Sequence, residues 1–287
     1  MRSEAVGFVT SSASMKQVGA FPRLTDVPVP SRDVRIDCAG LIVEFTTGDP
    51  AWSASLRDRF AGFLTAAAPA FTITREGLGE RRAALQSASI ETMAFGARVD
   101  FAAHTAALPA DATAAQAGLF MRSLLPSLLT DGLVCHAAAL IEGERGWLCC
   151  GRSGAGKSTL ASLMGERAAS DEVGAVRRGG GSFTVHALPF WRAHRAVAQL
   201  EGVYLLRHGV RDERRLLTPA AALPALGRHV FWPVDTLHTS QRVFDVLTEL
   251  VERVPVWELA FRPTPAVWDV IAAPAAPPVP AKAAPWA

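Results

Sequence analysis

The clearest chemistry in the chain lies in eight consecutive residues, Gly151-Arg152-Ser153-Gly154-Ala155-Gly156-Lys157-Ser158, which match the phosphate-binding (Walker A) pattern GxxxxGK[ST] in full. Glycines at 151, 154 and 156 permit the backbone turns that point successive N–H groups inward at phosphate oxygens. A helix opening at Lys157 adds the favourable dipole of its N-terminus. The Lys157 ammonium neutralises charge between the terminal phosphates of a nucleoside triphosphate, and the Ser158 hydroxyl is offered to Mg²⁺. The segment Gly151 to Thr159 therefore predicts binding of ATP with Mg²⁺. Composition supports this: lysine occurs only at Lys16, Lys157 and Lys282, so Lys157 is the sole lysine of the expected folded body. A chain that otherwise uses arginine keeps the compact ammonium where a broad guanidinium fork would not serve.

Transfer of a phosphoryl group to a hydroxyl also needs a carboxylate beside the attacking oxygen, to orient it and take its proton. Asp171 and Glu172 follow the loop and its helix, Asp171 standing fourteen residues after Lys157. Asp171 is the expected base. Neither acid ends a long apolar strand, and the chain has no LSGGQ-like segment. Both facts argue against a motor or transporter ATPase.

The stretch HAAALIEGERGWLCCGRSGAGKSTLASLMGERAASDE resembles the catalytic core of the HPr kinase/phosphorylase family, a group that includes HPr-kinase-related proteins of bacterial biosynthetic clusters. The likeness covers residues 133–176 and extends loosely through His186–Trp191 and Val256–Arg262. That core has a histidine one short hairpin before the loop, and His136 stands fifteen residues ahead of Gly151. It also has an acidic pair after the loop helix, where Asp171-Glu172 fall. The resemblance implies an HPr-kinase-like P-loop fold and a serine-kinase-like enzyme, often assembled as a homo-oligomer. It also implies that His136 lies beside Asp171 and tunes it, leaving Glu172 to assist Ser158 at the metal. The second acid is glutamate where the family has aspartate, and the N-terminal region is unlike theirs, so the chemistry transfers better than the substrate.

The elements that must position these groups are legible in outline. Residues 1–30 read as an irregular lead-in. The apolar run Val34–Phe45, broken at Gly40, reads as a hairpin, and Leu56, Phe60, Phe63 and Leu64 give a helix over 52–67. Strand-like pieces follow at Phe71–Thr74 and Ala97–Phe101. A helix over 111–130 ends at Asp131-Gly132. Two strands, Val134–Ile141 and Trp147–Cys150, lead into the loop, and its helix runs from Lys157 to Arg167. Glycines at 179, 180 and 181 make residues 177–182 an expected flexible loop, a candidate lid over the acceptor. A strand at Val203–Leu206, a helix over 236–253, a strand at Val256–Phe261 and a short helix over 265–272 complete the body. The expected fold class is thus α/β: an N-terminal α+β region over 1–110, a P-loop catalytic domain over 111–272, and a disordered Ala/Pro-rich tail over 273–287.

The remaining composition sets bounds. A hydrophobic content of 49% is ample for a buried core, and a net charge of +2 gives no electrostatic case for nucleic acid or an anionic membrane surface. No apolar run is long enough to span a membrane. Cys38, Cys135, Cys149 and Cys150 form neither a CxxC pair nor a disulfide framework, so a cytoplasmic location is expected. Arg192, His194 and Arg195 read as a solvated basic face, and the charged stretch Arg207–Arg215 as surface ion pairs. The expected function is an ATP-dependent kinase acting on a hydroxyl, with serine foremost, of a peptide, small protein or small molecule. The alternative is an ATP-binding regulatory module that transfers nothing.

Overall fold

Alternation of apolar and polar residues builds the first sheet. In β1 (Val34–Cys38) and β2 (Leu41–Thr46) the residues Val34, Ile36, Cys38, Val43 and Phe45 are buried, and the strands pair antiparallel around Ala39-Gly40, as the break at Gly40 predicts. The structure, a computed structural model, describes residues 33–76, 90–92, 96–233 and 237–274. The expected lead-in over 1–30, and the tail beyond residue 274, lie outside the described residues. After β2 come α1 (Pro50–Arg59), capped by the Asp49 carboxylate, then β3 (Phe71–Arg75), β4 (Ile90–Thr92), β5 (Arg98–Asp100) and β6 (Thr105–Leu108). These strands form a six-stranded mixed sheet in the order β1-β2-β3-β6-β5-β4. The helix α1 stops short of the predicted residue 67 because the chain tightens into a 3-10 turn over Ala61–Phe63.

Next, α2 (Ala114–Leu128) starts at a capping box in which the Thr113 hydroxyl accepts from the Gln116 amide while the Gln116 side chain accepts from the Thr113 N–H. The second sheet opens with the hairpin β7 (Gly132–Glu142) and β8 (Arg145–Cys150), followed by α3 (Lys157–Met164). Beyond them lie β9 (Ala168–Ser170), β10 (Val173–Gly179), β11 (Ser182–Ala187), β12 (Val197–His208), β13 (Glu213–Leu216), α4 (Pro219–Gly227), α5 (Leu237–Arg253), β14 (Val256–Phe261) and α6 (Val267–Ala272). The strand order is β11-β10-β7-β8-β12-β14-β13, with β9 on β7 and β8, β12 and β14 parallel. β11 also pairs with β12, which closes part of this sheet on itself. A methyl group on Gly146 would overlap Val185 inside that closure. Among the described residues the chain is thus mixed α/β, with two mixed sheets and six helices. No described helix is long and apolar enough to cross a membrane.

Side-chain alternation along the second sheet gives it two apolar faces. Leu133, Cys135, Ala137 and Ala139 of β7 pack with α4 and α5 through Leu226, Val243, Leu247 and Leu250. Ala138 and Leu140 face the other way, with Leu160 and Met164 of α3 and Ile271 of α6. A third cluster ignores the expected boundary at residue 110. It joins Phe45, Leu56 and Ile73 to Phe120 and Leu124 of α2, and continues into Val173, Ala175 and Ala187 of the second sheet.

Two local differences from expectation have clear causes. Residues 177–182 are no loose loop, because β10 and β11 pair antiparallel down to Gly179 and Ser182 and turn at Gly180-Gly181, both at positive φ. Arg177 is further tied by a bidentate bond to Asp131 and a bond to the Ala39 carbonyl. The lid reading loses its basis. The charged stretch before α4 does form ion pairs, Arg207 with Glu213 and Arg215 with Glu258, but on an edge strand whose charges suit an exposed sheet margin.

His186 of β11 carries a pH prediction. Its ring bonds the Thr184 hydroxyl at 2.8 Å. Burial first, and then the charge of Arg177, lower its pKa to about 4. An unfolded histidine titrates near about 6.5, so the unfolded chain takes up this proton first as pH falls. The stabilisation is complete above the unfolded value and is lost progressively toward pH 4, on the order of 3 kcal/mol in all. Urea midpoints measured between pH 7.5 and 4.5 should fall accordingly, and His186→Gln should flatten that slope.

Candidate active site

The loop lies between the end of β8 at Cys150 and the start of α3 at Lys157. Gly154 has φ +80° and Gly156 φ +101°, conformations that a side chain strains to adopt. Space is closed there as well, since a Cβ on Gly156 would sit 2.8 Å from Cζ of Phe261, at the end of β14. Gly156→Ala should therefore destabilise the fold by about 1–3 kcal/mol and weaken nucleotide binding. Urea denaturation and ATP titration check the two effects, and an unchanged midpoint would contradict the first.

Arg152, Ser153, Gly154, Ser158 and Thr159 are exposed, so the loop is open to a ligand. Lys157 is 5% exposed, and its ammonium donates to the carbonyls of Gly151 at 2.7 Å and Arg152 at 3.3 Å. Burial lowers its pKa, and the nearby Glu172 carboxylate and Cys150 oppose that shift. A cavity of about 210 Å³ opens over the loop. Gly154, Lys157 and Ser158 form one side of it, and His136, Glu172 and His208 complete it.

Backbone register explains how the far side is assembled. His136 belongs to the β7 residues that face α3, and it pairs with Val173 at the start of β10. The next link is Ala137 N–H donating to the Glu172 carbonyl at 3.0 Å. This brings the Glu172 side chain alongside the imidazole, where His136 Nε2 and Glu172 Oε1 lie 3.0 Å apart. The pairing expected between His136 and Asp171 is thus made with the neighbouring acid. Asp171 is absent from the cavity lining, and its Oδ1 is buried with no hydrogen-bond partner among the described residues.

Two histidines, one lining the cavity and one behind His136, escape a reading by motif. His208 ends β12, and its Nε2 donates to the Gly154 carbonyl at 2.7 Å, which fixes the proton on that nitrogen. Ligands gather at the carboxyl ends of parallel strands, and that rule, applied to β12, would have found it. The His229 carbonyl accepts from the His136 N–H at 2.8 Å. Burial lowers the His229 pKa, with further contributions from His136, Lys157, Arg228 and Arg152.

Magnesium fits the residues present. Among the described residues no three His, Cys, Asp or Glu side chains make a metal cage. Mg²⁺ bound beside a nucleotide needs none, because phosphates and water supply most of its ligands. Ser158 and Glu172 both line the cavity. No family model matches the chain, and no curated protein matches it.

Proposed function

We propose that this chain is an ATP-dependent phosphotransferase with a hydroxyl acceptor, built on an HPr-kinase-like P-loop core. The observation that carries the reading is that an open phosphate-binding loop shares one cavity with a carboxylate held by a histidine. Loop amides and Lys157 hold the triphosphate, with His208 fixing the loop carbonyl at Gly154. Bound Mg²⁺, held by Ser158 and the phosphates, would neutralise charge on the transferring group. One carboxylate cannot bind metal and take a proton at once, and orientation by a histidine favours the second role for Glu172. Glu172 then takes the proton of the acceptor hydroxyl as its oxygen attacks the terminal phosphorus and the bond to ADP breaks. Cys38, Cys135, Cys149 and Cys150 are free thiols, which suits a cytoplasmic enzyme.

The test is incubation with Mg²⁺, γ-labelled ATP and pools of serine peptides and small alcohols, followed by location of the label. Label on an acceptor hydroxyl, lost in Lys157→Met, is the expected result. Tight ATP binding without transfer to any acceptor would leave the regulatory-module reading in its place.

A further inference from the structure

One aromatic ring, Phe231, separates His136 from an arginine of α2. Arg122, half-buried on α2, forms no ion pair among the described residues. Its guanidinium lies over the ring of Trp191 at 4.9 Å and over that of Phe231 at 5.9 Å. Phe231 in turn lies 6.2 Å from the His136 ring. Aromatic contacts occupy the faces of a guanidinium and leave its N–H edge available, in the fork geometry that matches a carboxylate or phosphate.

Trp191 is exposed where a large apolar ring has no reason to be: 57% of it is accessible. Its backbone has φ +56°, a strained conformation for a bulky residue, and such strain collects at functional sites. The turn that carries it is firmly held. Leu188 and Phe190 are buried on one side of it, and on the other the His194 N–H donates to the Ala169 carbonyl while Ala193 bridges Ser170. Those contacts end one residue before Asp171-Glu172, so the turn, the acidic pair and His136 are tied to the same stretch of sheet.

We propose that Arg122 and Trp191 form the acceptor subsite, recognising a carboxylate or phosphate carried by the compound whose hydroxyl is phosphorylated. This rests on the kinase reading for its role, but the anion site can be tested separately. The full chain, saturated with Mg²⁺ and a non-hydrolysable ATP analogue, is titrated calorimetrically with glycerol, glycerate and glycerol 3-phosphate. A second arm compares the capped peptides Glu-Ser-Glu and Gln-Ser-Gln, separating a peptide acid from a small anionic alcohol as the source. In at least one arm the anionic compound should bind on the order of tenfold tighter than its neutral counterpart. Arg122→Met, which keeps an apolar stem against the rings, should abolish that preference and leave affinity for the ATP analogue unchanged. Trp191→Gly should weaken anion binding severalfold, again without touching the analogue. Equal binding of charged and neutral compounds, or a preference that survives Arg122→Met, overturns the proposal. If the ATP analogue itself does not bind, the kinase reading fails, and the same titrations without nucleotide still decide the role of Arg122.

Discussion

Lys157→Met is expected to lower affinity for Mg·ATP, and with it the proposed phosphoryl transfer, by about 10²–10³-fold. The effect is large because this ammonium is already organised for its task. It is 5% exposed, and two loop carbonyls hold it in place. Its charge also balances the Glu172 carboxylate across the cavity. Methionine keeps the unbranched stem, so the chain should remain folded and the loss should appear in binding. Calorimetric titration with ATP checks it, and unchanged affinity would remove the loop from the site. By the same burial, any affinity for ATP should decline at alkaline pH sooner than it would with an exposed lysine, because desolvation lowers the pKa of the group.

Glu172→Gln should lower the proposed transfer by about 10²–10⁴-fold with ATP affinity largely kept, as loss of a general base requires. Glutamine preserves the size and the contact to His136 but takes no proton. Asp171→Asn is the discriminating companion. Asp171 lies outside the cavity lining, so its variant should keep transfer within about tenfold, a loss expected from local repacking alone. Single-turnover rates with a labelled acceptor separate the two. An inactive Asp171→Asn beside an active Glu172→Gln would return the base to Asp171.

That distinction marks where the sequence stops being informative. The two acids are adjacent in the chain, and choosing between them depends on where β10 begins to pair with β7, a register that spacing to the loop does not encode. The loop itself was legible because its glycines and lysine serve local backbone geometry. β14 was legible over Val256–Phe261 because its short apolar run, buried on both faces, is interrupted only at Glu258. The helix α4 was missed. Alanine and an internal Pro224 hide its periodicity, although Thr218-Pro219 is a sound start signal and the Thr218 hydroxyl does cap it. β13 was hidden by arginines, which an edge strand accepts and a central strand would not. His208 reaches the site only through tertiary packing, from a strand end far from the loop in sequence.

The apolar cluster that runs from Phe45 and Ile73 through α2 into Val173 and Ala187 bears on how such a protein can change over time. A fragment cut free at residue 110 would expose Phe120 and Leu124 to water, so substitutions on either side of this seam must be tolerated by both.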